Sequence, residues 1–550
     1  MSKIVLQIHD SDNVLVAIRD LKKGEKVTFD DLEIEIFEFV PAKHKFAIKH
    51  IRPGDYVYMY GVIVGKATMF IPKGGRIKIE NTEHATAEVD LNRSDFNWEK
   101  PDIRKYTDIK FQGYERANGK VGTRNFWLIV PLVFCENRNV DHIEAILSEK
   151  LGYSNPTTST YDIDQLIVAY RSGATSEEIL NKSIYTPIDS HQKNQIFSNV
   201  DGIRFLKHEG GCGGTREDAD LLCQLLARYI EHPNVAGATV MSLGCQNAQI
   251  SLLKSHLESS GSADNKPVYF LEQQGSSSEI SFIEDAVKYT FVGLMEANQH
   301  HRKPFGLEHL NIGLECGGSD GFSGISANPT LGHLSDMIVA LGGTAILAEF
   351  PELNGVEQQL INRCRDITLA RKFSALMEEY KIKAESVGSS FKHNPSPGNI
   401  KDGLITDAMK SAGAARKGGT SPIEGVLDYG EATVRNGLHL LRTPGNDVES
   451  TTGLAGAGAN IILFTTGLGT PTGNPITPVI KISSHNELAK RMSDIIDFNA
   501  GPIINGNICI ESMASELLDL VIEVASGKKE THSIRLGQND FIPWKRGVSL

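Results

Sequence analysis

The sequence contains no run of apolar residues long enough to span a lipid bilayer. A membrane-spanning helix needs about 20 consecutive apolar residues. The first residues, MSKIVLQIHDSDN, also lack the basic stretch followed by an apolar stretch that is typical of a secretory signal. We therefore expect a protein that is neither inserted into a membrane nor exported.

Cysteine is sparse, with seven residues in a chain of 550, and no two cysteines are two to four residues apart. This spacing argues against a disulfide framework and against zinc motifs built from closely spaced cysteines. It favours a reducing compartment, and we expect the cytoplasm. The formal net charge of −12 gives no electrostatic reason to expect a nucleic-acid partner.

Apolar residues make up 40% of the chain, and its length predicts more than one domain. Residues 1–89 contain short apolar runs between glycine-containing turns and predict a small β-rich domain. Residues 90–109 are polar and aperiodic, which indicates a linker. Strand and helix patterns alternate in residues 110–303 and 304–550, which predict a middle and a C-terminal α/β domain. Within the last domain, residues 356–379 predict one long amphipathic helix.

The most informative stretch is LNIGLECGGSDGFSGISANP, residues 310–329, in which an apolar strand breaks into a glycine-rich loop. The loop contains a cysteine and several polar residues, namely Glu315, Cys316, Ser319, Asp320, Ser323 and Asn328. In open α/β sheets, ligands bind beyond the carboxyl ends of the strands, and glycine lets the backbone approach a ligand. The stretch therefore predicts one wall of a binding site. Glu349 and Glu352 follow another predicted strand of the same domain.

Cys212 and Cys245 also follow predicted strands, with a predicted helix between them. A right-handed crossover would place both strand ends on the same edge of a sheet. If these thiolates met Cys316, three sulfur ligands and an open position would suit iron, alone or in an iron–sulfur cluster. An alternative is that His208 and nearby oxygens bind one divalent ion beside the thiols. A structural alternative is that the cysteines are small buried residues at tight turns.

Two further features have open interpretations. Arg124 stands with Asn125 before an apolar strand, where its guanidinium could grip a carboxylate or simply occupy a surface turn. The segment GLAGAG, residues 453–458, superficially fits a dinucleotide fingerprint. Its predicted strand follows the glycines instead of preceding them, which argues against nucleotide binding.

These motifs together resemble the altronate/galactarate dehydratase family of sugar-acid dehydratases, and the likeness covers nearly the whole chain. In order, the motifs are GYERANGKVGTRN, HEGGCGG, HPNVAGATVMSLGCQN, GLECGGSDGFSGISANP, NPSPGN, KGGTSP and TPGND followed by FTTGLGTP. The resemblance implies an N-terminal β-clip domain of the SAF type, a dimerising middle domain and a C-terminal Rossmann-like domain with a mostly parallel sheet. It also implies a homodimer.

The resemblance further implies dehydration of a sugar acid to its 2-keto-3-deoxy product, with a metal bound in the C-terminal domain. Ferrous iron is the expected cofactor, and Mn²⁺ or another divalent ion is the expected replacement. The altronate branch resembles this chain more closely than the galactarate branch. One segment departs from the family pattern, because RIKIEN, residues 76–81, has Lys78 and Glu80 where we expect histidines. His44 and His84 remain as substitutes for them.

Dehydration requires a base for the α-proton, an acid for the leaving hydroxyl and a Lewis acid for the developing enolate. For the base and the acid we expect His208 or His44, followed by Glu209. For the metal we expect Cys212, Cys245 and Cys316. The residues expected to hold the substrate are Arg124, Asn125, Ser319, Asp320, Ser323, Asn328, Asn399, Lys417 and Thr420.

Other functions remain open from the sequence. Within the same chemistry, the rival is a galactarate dehydratase or another 2-hydroxy-acid lyase, such as one acting on a sulfonated substrate. A different class is a non-catalytic sugar-acid-binding protein, which the departure at residues 76–81 makes plausible. A nicotinamide-dependent oxidoreductase is the third alternative.

Overall fold

The computed structural model describes residues 4–91, 94, 96–153, 161–185, 195–259 and 266–549. Within these ranges, no helix combines the length and the apolar character needed to cross a membrane. A small β domain is followed by two α/β domains, so the predicted fold class is confirmed. The exact domain boundaries stay predictions.

The N-terminal domain consists of short antiparallel strands. They are β1 (Val5–Leu6), β2 (Val14–Ala17), β3 (Lys26–Phe29), β4 (Leu32–Glu35), β5 (Lys45–Ala47), β6 (Tyr56–Met59), β7 (Val62–Ala67) and β8 (Thr82–Glu83). They form the ladders β1-β2-β5, β3-β4 and β6-β7-β8. Leu15, Val27 and Phe46 are fully buried at their centre. Burial of such apolar surface stabilises a domain that has little regular hydrogen bonding of its own.

The predicted linker contains no helix or strand among its described residues, yet it is fastened to the C-terminal domain. The side chain of Tyr106 is buried, and its hydroxyl donates a hydrogen bond of 2.9 Å to the carbonyl oxygen of Ser515. Lys105 adds an ion pair with Asp519 at 2.8 Å. The linker therefore follows the surface of the C-terminal domain over this stretch.

The middle domain is built around a parallel sheet with the strand order β12-β11-β13-β14. Its strands are β9 (Lys110–Glu115), β10 (Val121–Gly122), β11 (Phe126–Pro131), β12 (Gly202–Phe205), β13 (Val235–Ser242) and β14 (Val268–Glu272). Its helices are α1 (Asn137–Leu151), α2 (Asp164–Arg171), α3 (Ser176–Leu180), α4 (Arg216–Glu231), α5 (Ile250–Ser259) and α6 (Glu279–Ala297). Helix α4 connects β12 to β13 as predicted and buries Leu222, Leu225 and Leu226.

The C-terminal domain contains a seven-stranded parallel sheet with the order β18-β19-β17-β16-β20-β21-β22. Its strands are β15 (Lys303–Gly306), β16 (Asn311–Cys316), β17 (Thr344–Leu347), β18 (Ile423–Leu427), β19 (Gly437–Leu441), β20 (Ile461–Thr466), β21 (Val479–Ser483) and β22 (Phe498–Asn499). Strand β15 pairs with β9 outside this sheet. Its helices are α7 (Ala327–Ala340), α8 (Glu357–Arg363), α9 (Ile367–Ser386), α10 (Pro397–Lys401), α11 (Asp407–Ala414), α12 (Asp447–Gly456), α13 (Asn486–Arg491), α14 (Ile510–Ala525) and α15 (His532–Arg535).

The strand order of this sheet defines where a ligand can bind. The chain moves from β16 to β17 on one side and later returns to place β20 on the other side of β16. The connections thus diverge at the carboxyl ends of β16 and β20, and such switch points are the usual ligand crevices of open α/β sheets. The loop after β16 is the glycine-rich stretch that the sequence singled out.

The prediction of one long helix over residues 356–379 is wrong, because α8 and α9 are separate helices. Between them, the N–H of Arg365 donates a hydrogen bond of 3.0 Å to the carbonyl oxygen of Ile423. Asp366 then caps α9 by accepting a hydrogen bond from the N–H of Leu369. An aspartate at an N-cap begins a new helix, and apolar periodicity does not reveal it when the two helices have similar phases.

Candidate active site

Cys316 is the last residue of β16, and its thiol lies among charged groups from the segment after β17, from α11 and from the turn that follows α11. The Nζ atom of Lys417 lies 2.6 Å from Cys316 Sγ and 2.7 Å from Glu349 Oε2. Cys316 Sγ also lies 3.1 Å from Glu352 Oε2. Lys410 lies 2.6 Å from the other oxygen of Glu352. The four residues other than Lys410 are no more than 2% exposed, so these charges act on one another without water between them.

A second group of acidic side chains shares Glu349 with the first. Glu315, Glu349 and Asp447 each direct a carboxylate oxygen to within 4.8 Å of the others. Glu315 Oε2 accepts a hydrogen bond of 2.6 Å from Ser450. The remaining oxygens, Glu315 Oε1 and Glu349 Oε1, are buried and have no hydrogen-bond partner. An unpartnered buried carboxylate oxygen is costly, and a bound cation would satisfy both oxygens.

The acidic groups outnumber the basic groups at this site, since Glu315, Glu349, Glu352 and Asp447 face only Lys410 and Lys417. Burial, followed by repulsion from neighbouring carboxylates, raises the pKa of Glu315 and of Glu349. The same causes raise the pKa of Asp447 to about 7. These shifts show that an ionised set of carboxylates is unstable here unless further positive charge is present.

The pKa values of Lys417, Cys316 and Glu352 are shifted as well. Although burial opposes it, the negative charge around Lys417 raises the pKa of its ammonium well above the ordinary value. Burial, with the nearby Glu352, raises the pKa of the Cys316 thiol. Burial also acts on Glu352, yet Lys410 and Lys417 hold its pKa below the ordinary value. At neutral pH the site therefore contains a thiol, two ammonium groups and ionised Glu352.

Glu349 has a strained backbone, with φ 67° and ψ 66°. A non-glycine residue in this left-handed region costs about 1–3 kcal/mol and persists only where its surroundings enforce it. The N–H of Glu349 is held by the hydroxyl of Thr443 at 2.8 Å. In this conformation one carboxylate oxygen contacts Lys417, and the carboxylate also lies beside Glu315 and Asp447.

The loop after β16 is closed from the other side by the N-terminal domain. Lys43 lies 2.9 Å from Asp320 Oδ2 and 3.0 Å from Asp402. Asp320 is fully buried, and its Oδ1 atom accepts hydrogen bonds from the hydroxyls of Ser323 and Ser484. Burial tends to raise the pKa of Asp320, but Lys43 holds it below the ordinary value. The N-terminal domain thus contributes a charged partner to the predicted site loop.

Two further residues lie at this interface: Lys45, the first residue of β5, and His44, which immediately precedes it. Lys45 is fully buried, its Nζ atom donates a hydrogen bond of 2.7 Å to the carbonyl oxygen of Gly403, and burial lowers its pKa to about 7. His44 contacts the carbonyl oxygen of Lys401 through Nε2 at 3.0 Å, while its buried Nδ1 has no hydrogen-bond partner. Burial also lowers the pKa of His44. His84 pairs with Asp407 nearby, whereas Lys78 pairs with Glu38 at 2.8 Å and is only partly buried.

Most of the predicted substrate residues lie around this loop. Asn399 Nδ2 donates to the carbonyl oxygen of Ser319 at 2.7 Å. Asn328 is buried and bridges Thr465 Oγ1 and the carbonyl oxygen of Gly413. The structure therefore gathers Ser319, Asp320, Ser323, Asn328, Asn399 and Lys417 at the carboxyl edge of the C-terminal sheet. Thr420 differs, because its hydroxyl and N–H both donate to the carboxylate of Asp336, which lies within α7.

Comparison with known proteins gives one relative that matches from end to end. The altronate dehydratase of Bacillus subtilis strain 168 is 34% identical over 553 residues, with 100% of both chains covered. The chain belongs to the altronate/galactarate dehydratase family. The altronate dehydratase of Escherichia coli K12 is 33% identical over 99% of both chains. The L-threo-forming galactarate dehydratase of the same organism is 30% identical over 97% of this chain and 94% of its own.

Models of the family match each of its three parts in order along the chain. The altronate/galactarate dehydratase SAF domain matches residues 3–85. The second domain of D-galactarate dehydratase/altronate hydrolase matches residues 113–298, and the C-terminal domain of D-galactarate/altronate dehydratase matches residues 307–549. The resemblance drawn from the sequence motifs is therefore confirmed for the whole chain.

Arg124 and Asn125 do not reach the site of this family member. The guanidinium of Arg124 is buried and donates to the carbonyl oxygens of Thr123 and Val524. Asn125 donates to the carbonyl oxygens of Asn199 and Ala297. Asn125 thus binds backbone within the middle domain, and Arg124 binds backbone of the middle and C-terminal domains, so the substrate-binding role predicted for them has no support in the geometry.

His208 and Glu209 are also remote from the carboxylate groups. His208 is buried in the middle domain, where Nε2 lies 2.8 Å from the carbonyl oxygen of Pro131 and Nδ1 accepts from the N–H of Gly210. Burial lowers the pKa of this histidine to about 4. Both ring nitrogens are occupied, which leaves His208 in a structural role and not as the base predicted from sequence. Glu209 is exposed in the same loop.

The predicted ligand set of Cys212, Cys245 and Cys316 does not form. Cys316 is buried at the C-terminal sheet, whereas Cys212 and Cys245 are exposed at the carboxyl edge of the middle sheet. Among the residues that the structure describes, the close ligand groups are Cys316–Glu349–Glu352 and Glu315–Glu349–Asp447. The prediction that Cys212 and Cys245 share one edge is correct, since the N–H of Asn247 donates to the carbonyl oxygen of Gly211 at 3.0 Å.

Sequence reasoning noticed Glu315, Glu349 and Glu352 at strand ends but assigned them no role, and it passed over Lys410, Asp447, Lys43 and Lys45. A signal existed for the acidic residues, because Glu315 and Glu349 stand at or just after the ends of two strands that prove to be neighbours. No comparable signal marked Lys43 and Lys45, which reach the site only because the N-terminal domain docks on the loop after β16.

Proposed function

We propose that this chain catalyses the dehydration of a sugar acid, with D-altronate as substrate and 2-dehydro-3-deoxy-D-gluconate as product. The observation that carries the proposal is the buried group of Glu315, Glu349 and Asp447 beside Lys417 and Cys316. The choice of altronate is supported by two full-length relatives named altronate dehydratase, at 34% and 33% identity. The galactarate dehydratase is slightly more distant, at 30% identity.

The residues present fit a divalent metal ion, for which we propose Fe²⁺ with Mn²⁺ as a replacement. Glu315, Glu349 and Asp447 supply close oxygen ligands, and two of their oxygens have no other partner. Hard carboxylate ligands suit Mn²⁺, and the nearby thiol of Cys316 adds a softer donor that favours iron. The ion would supply Lewis-acid stabilisation of the enolate that forms next to the substrate carboxylate.

The protein's own groups position the substrate and exchange protons. Lys417 carries a fixed positive charge in a dry site, so it can hold a substrate carboxylate more strongly than an exposed lysine would. Asp320 is kept ionised by Lys43 and accepts hydrogen bonds from Ser323 in the loop after β16 and from Ser484 just after β21. Sugar hydroxyls require such closely spaced polar groups.

For the proton-transfer step, the N-terminal domain supplies the groups with suitable pKa values. Burial brings the pKa of Lys45 to about 7, and a base works best when its pKa is near the operating pH. His44, which the sequence offered as a base or an acid, lies beside it with an unpartnered Nδ1 atom. We assign proton abstraction to Lys45, whose ammonium form can then protonate the leaving hydroxyl, and keep His44 as the alternative base because burial lowers its pKa.

The proposal includes a cytoplasmic homodimer that forms through the middle domain. Helix α6 leaves several large apolar side chains exposed, namely Ile280, Tyr289, Phe291, Val292 and Met295. Large apolar side chains exposed on one helix are typical of a protein–protein interface. A sedimentation-equilibrium measurement on the wild type and on Val292→Glu tests this part, and a monomeric wild type would exclude it.

A substrate panel tests the assigned reaction. The chain is purified without oxygen, supplied with ferrous iron and assayed for keto-acid formation from D-altronate, galactarate and a sulfonated 2-hydroxy acid. We expect the highest kcat/KM with D-altronate. Tight binding of altronate without any keto acid would instead identify a non-catalytic binding protein, and dependence on a nicotinamide cofactor would identify an oxidoreductase.

A further inference from the structure

Three exposed cysteines follow three adjacent strands of the middle sheet. Pro131 of β11 pairs with Met241 of β13. Cys135 lies four residues after Pro131, and Cys245 lies four residues after Met241. Cys212 follows β12, the strand on the other side of β11. Because neighbouring strands are about 4.8 Å apart, equal offsets from one rung bring the loops of Cys135 and Cys245 to the same place on the sheet edge.

The loop that carries Cys212 lies between the other two loops and contacts both. The carbonyl oxygen of Gly210 accepts a hydrogen bond of 3.1 Å from the N–H of Phe134, next to Cys135. The carbonyl oxygen of Gly211 accepts one of 3.0 Å from the N–H of Asn247. A Cβ atom at Gly211 would collide with the carbonyl oxygen of Leu132, so only glycine permits this approach. The three cysteines are therefore held on one backbone framework.

The backbone around these cysteines is shaped to receive an anion. Gly211, Gly213 and Gly244 have φ values of 94°, 67° and 122°. Successive residues of alternating handedness direct their N–H groups into a concave nest, a geometry that recurs at phosphate and iron–sulfur sites. Gln274 adds a side-chain donor, since its Nε2 lies 3.3 Å from Cys245 Sγ. Donors of this kind stabilise thiolates and the sulfides of a cluster.

The arrangement of the three sulfurs does not suit a single ion. Sulfur ligands of one tetrahedral ion, with metal–sulfur distances of about 2.3 Å, lie ~3.8 Å apart. The three sulfur atoms of Cys135, Cys212 and Cys245 do not form one of the ligand groups within 4.8 Å that occur among the described residues. A polynuclear cluster needs wider separation than a single ion. The three thiols are also free and exposed, unlike the buried Cys223, Cys316 and Cys364.

We propose that Cys135, Cys212 and Cys245 bind an iron–sulfur cluster of the four-iron type at the carboxyl edge of the middle sheet. The three thiols lose their protons on binding and ligate three irons. The fourth iron has no cysteine ligand and is open to an oxygen ligand from solvent or from a small molecule. This site is separate from the carboxylate groups of the C-terminal sheet, and it does not depend on the proposed dehydration.

The test is the cofactor content of the full chain purified without oxygen, compared with Cys135→Ser, Cys212→Ser and Cys245→Ser. Cys509→Ser is the matched control, because Cys509 is also exposed and free. We expect acid-labile sulfide, with at least an equal amount of iron, in the wild type and the control, together with broad visible absorption from sulfide-to-iron charge transfer. Each of the three variants should lose most of both elements while keeping the far-ultraviolet circular dichroism of the wild type.

A second measurement covers any variant that fails to fold. Alkylation of the wild type with iodoacetamide, followed by mass spectrometry, should label Cys135, Cys212 and Cys245 only after the cluster has been removed by a chelator, while Cys509 is labelled in both states. Iron without acid-labile sulfide would overturn the cluster, because the iron would then be accounted for by the carboxylate group of the C-terminal sheet. Equal labelling of the three cysteines before and after chelation would overturn the site altogether.

Discussion

The ammonium group of Lys417 lies 2.6 Å from the sulfur of Cys316, and both side chains are almost completely buried. The same ammonium pairs with Glu349 at 2.7 Å. One lysine thus balances a thiol from β16 and a strained glutamate after β17, and it connects the two acidic groups of the site. Its position explains how so many ionisable side chains remain buried at one sheet edge.

Replacement of Lys417 by Met tests this balance. Removing one partner of a buried ion pair leaves an uncompensated charge, which costs about 3–5 kcal/mol. We expect Lys417→Met to lose a comparable amount of unfolding free energy in urea and to lose detectable turnover of D-altronate. Lys417→Arg keeps the charge and should recover stability in part. Unchanged stability in Lys417→Met would show that Glu349 needs no positive partner.

The ion pair between Lys43 and Asp320 joins the N-terminal domain to the site loop. We expect a coupling free energy above 1 kcal/mol in a double-mutant cycle of Lys43→Met and Asp320→Asn, because the carboxylate is fully buried. Urea unfolding of the two single variants and the double variant provides the measurement. Additive effects would mean that the two domains meet here without a specific interaction. The pair Lys26 and Glu33, which is exposed, serves as the additive control.

Lys45 should control the acidic limb of the pH–rate profile. Its pKa of about 7 means that the neutral amine, which is the form that can accept a proton, predominates above that pH. We expect kcat to fall as the pH decreases through about 7, and Lys45→Met to lose both this limb and most of the activity. Lys23, an exposed lysine of the same domain, provides the control variant Lys23→Met. A wild-type limb that persists in Lys45→Met would transfer the role to another group.

Buried neutral histidines should make the protein less stable in mild acid. Burial lowers the pKa of His208 and of His439 to about 4 and that of His232 to about 3. Between the unfolded value near 6.5 and these folded values, the unfolded chain binds more protons, so unfolding free energy decreases as the pH falls. Each histidine contributes a slope of up to about 1.4 kcal/mol per pH unit.

The measurement is the urea midpoint between pH 7 and pH 4.5, with His208→Gln beside the wild type. We expect a shallower pH slope in the variant, since one of the titrating groups has been removed. His50→Gln, at an exposed position, should keep the wild-type slope. Equal slopes in all three proteins would show that His208 can take up a proton without unfolding.

The sequence predicted the glycine-rich loop that borders the site but not the group of acidic and basic side chains within it. The loop after β16 was recognisable because a glycine-rich polar segment follows an apolar strand. Lys417 was included among the residues expected to bind the substrate. The grouping of Cys316 with Cys212 and Cys245 was wrong because all three have similar local patterns. Local pattern does not reveal that β16 and β12 belong to different sheets. That assignment depends on strand pairings between residues far apart in the chain.

The N-terminal contribution was predicted only in part, through His44. Lys43 and Lys45 stand on either side of it, before and at the start of a short strand of ordinary composition, and nothing local marks them as site residues. They acquire their shifted pKa values only when this strand is buried against residues 401–403 and Asp320. Likewise, Arg124 was expected to bind a carboxylate because its residue type suits that role. In the fold its guanidinium donates instead to the backbone carbonyls of Thr123 and Val524.

The most direct test of the account is ferrous-iron titration of the metal-free chain without oxygen, with formation of keto acid from D-altronate as the readout. The wild type is compared with Glu349→Gln, which keeps the shape of the side chain, and with Glu424→Gln, a control on β18 outside the site. We predict saturable activation of the wild type and the control, and at least a 100-fold lower turnover with weaker iron binding in Glu349→Gln. Full activity of Glu349→Gln at the same iron concentration would contradict the assignment of the active site.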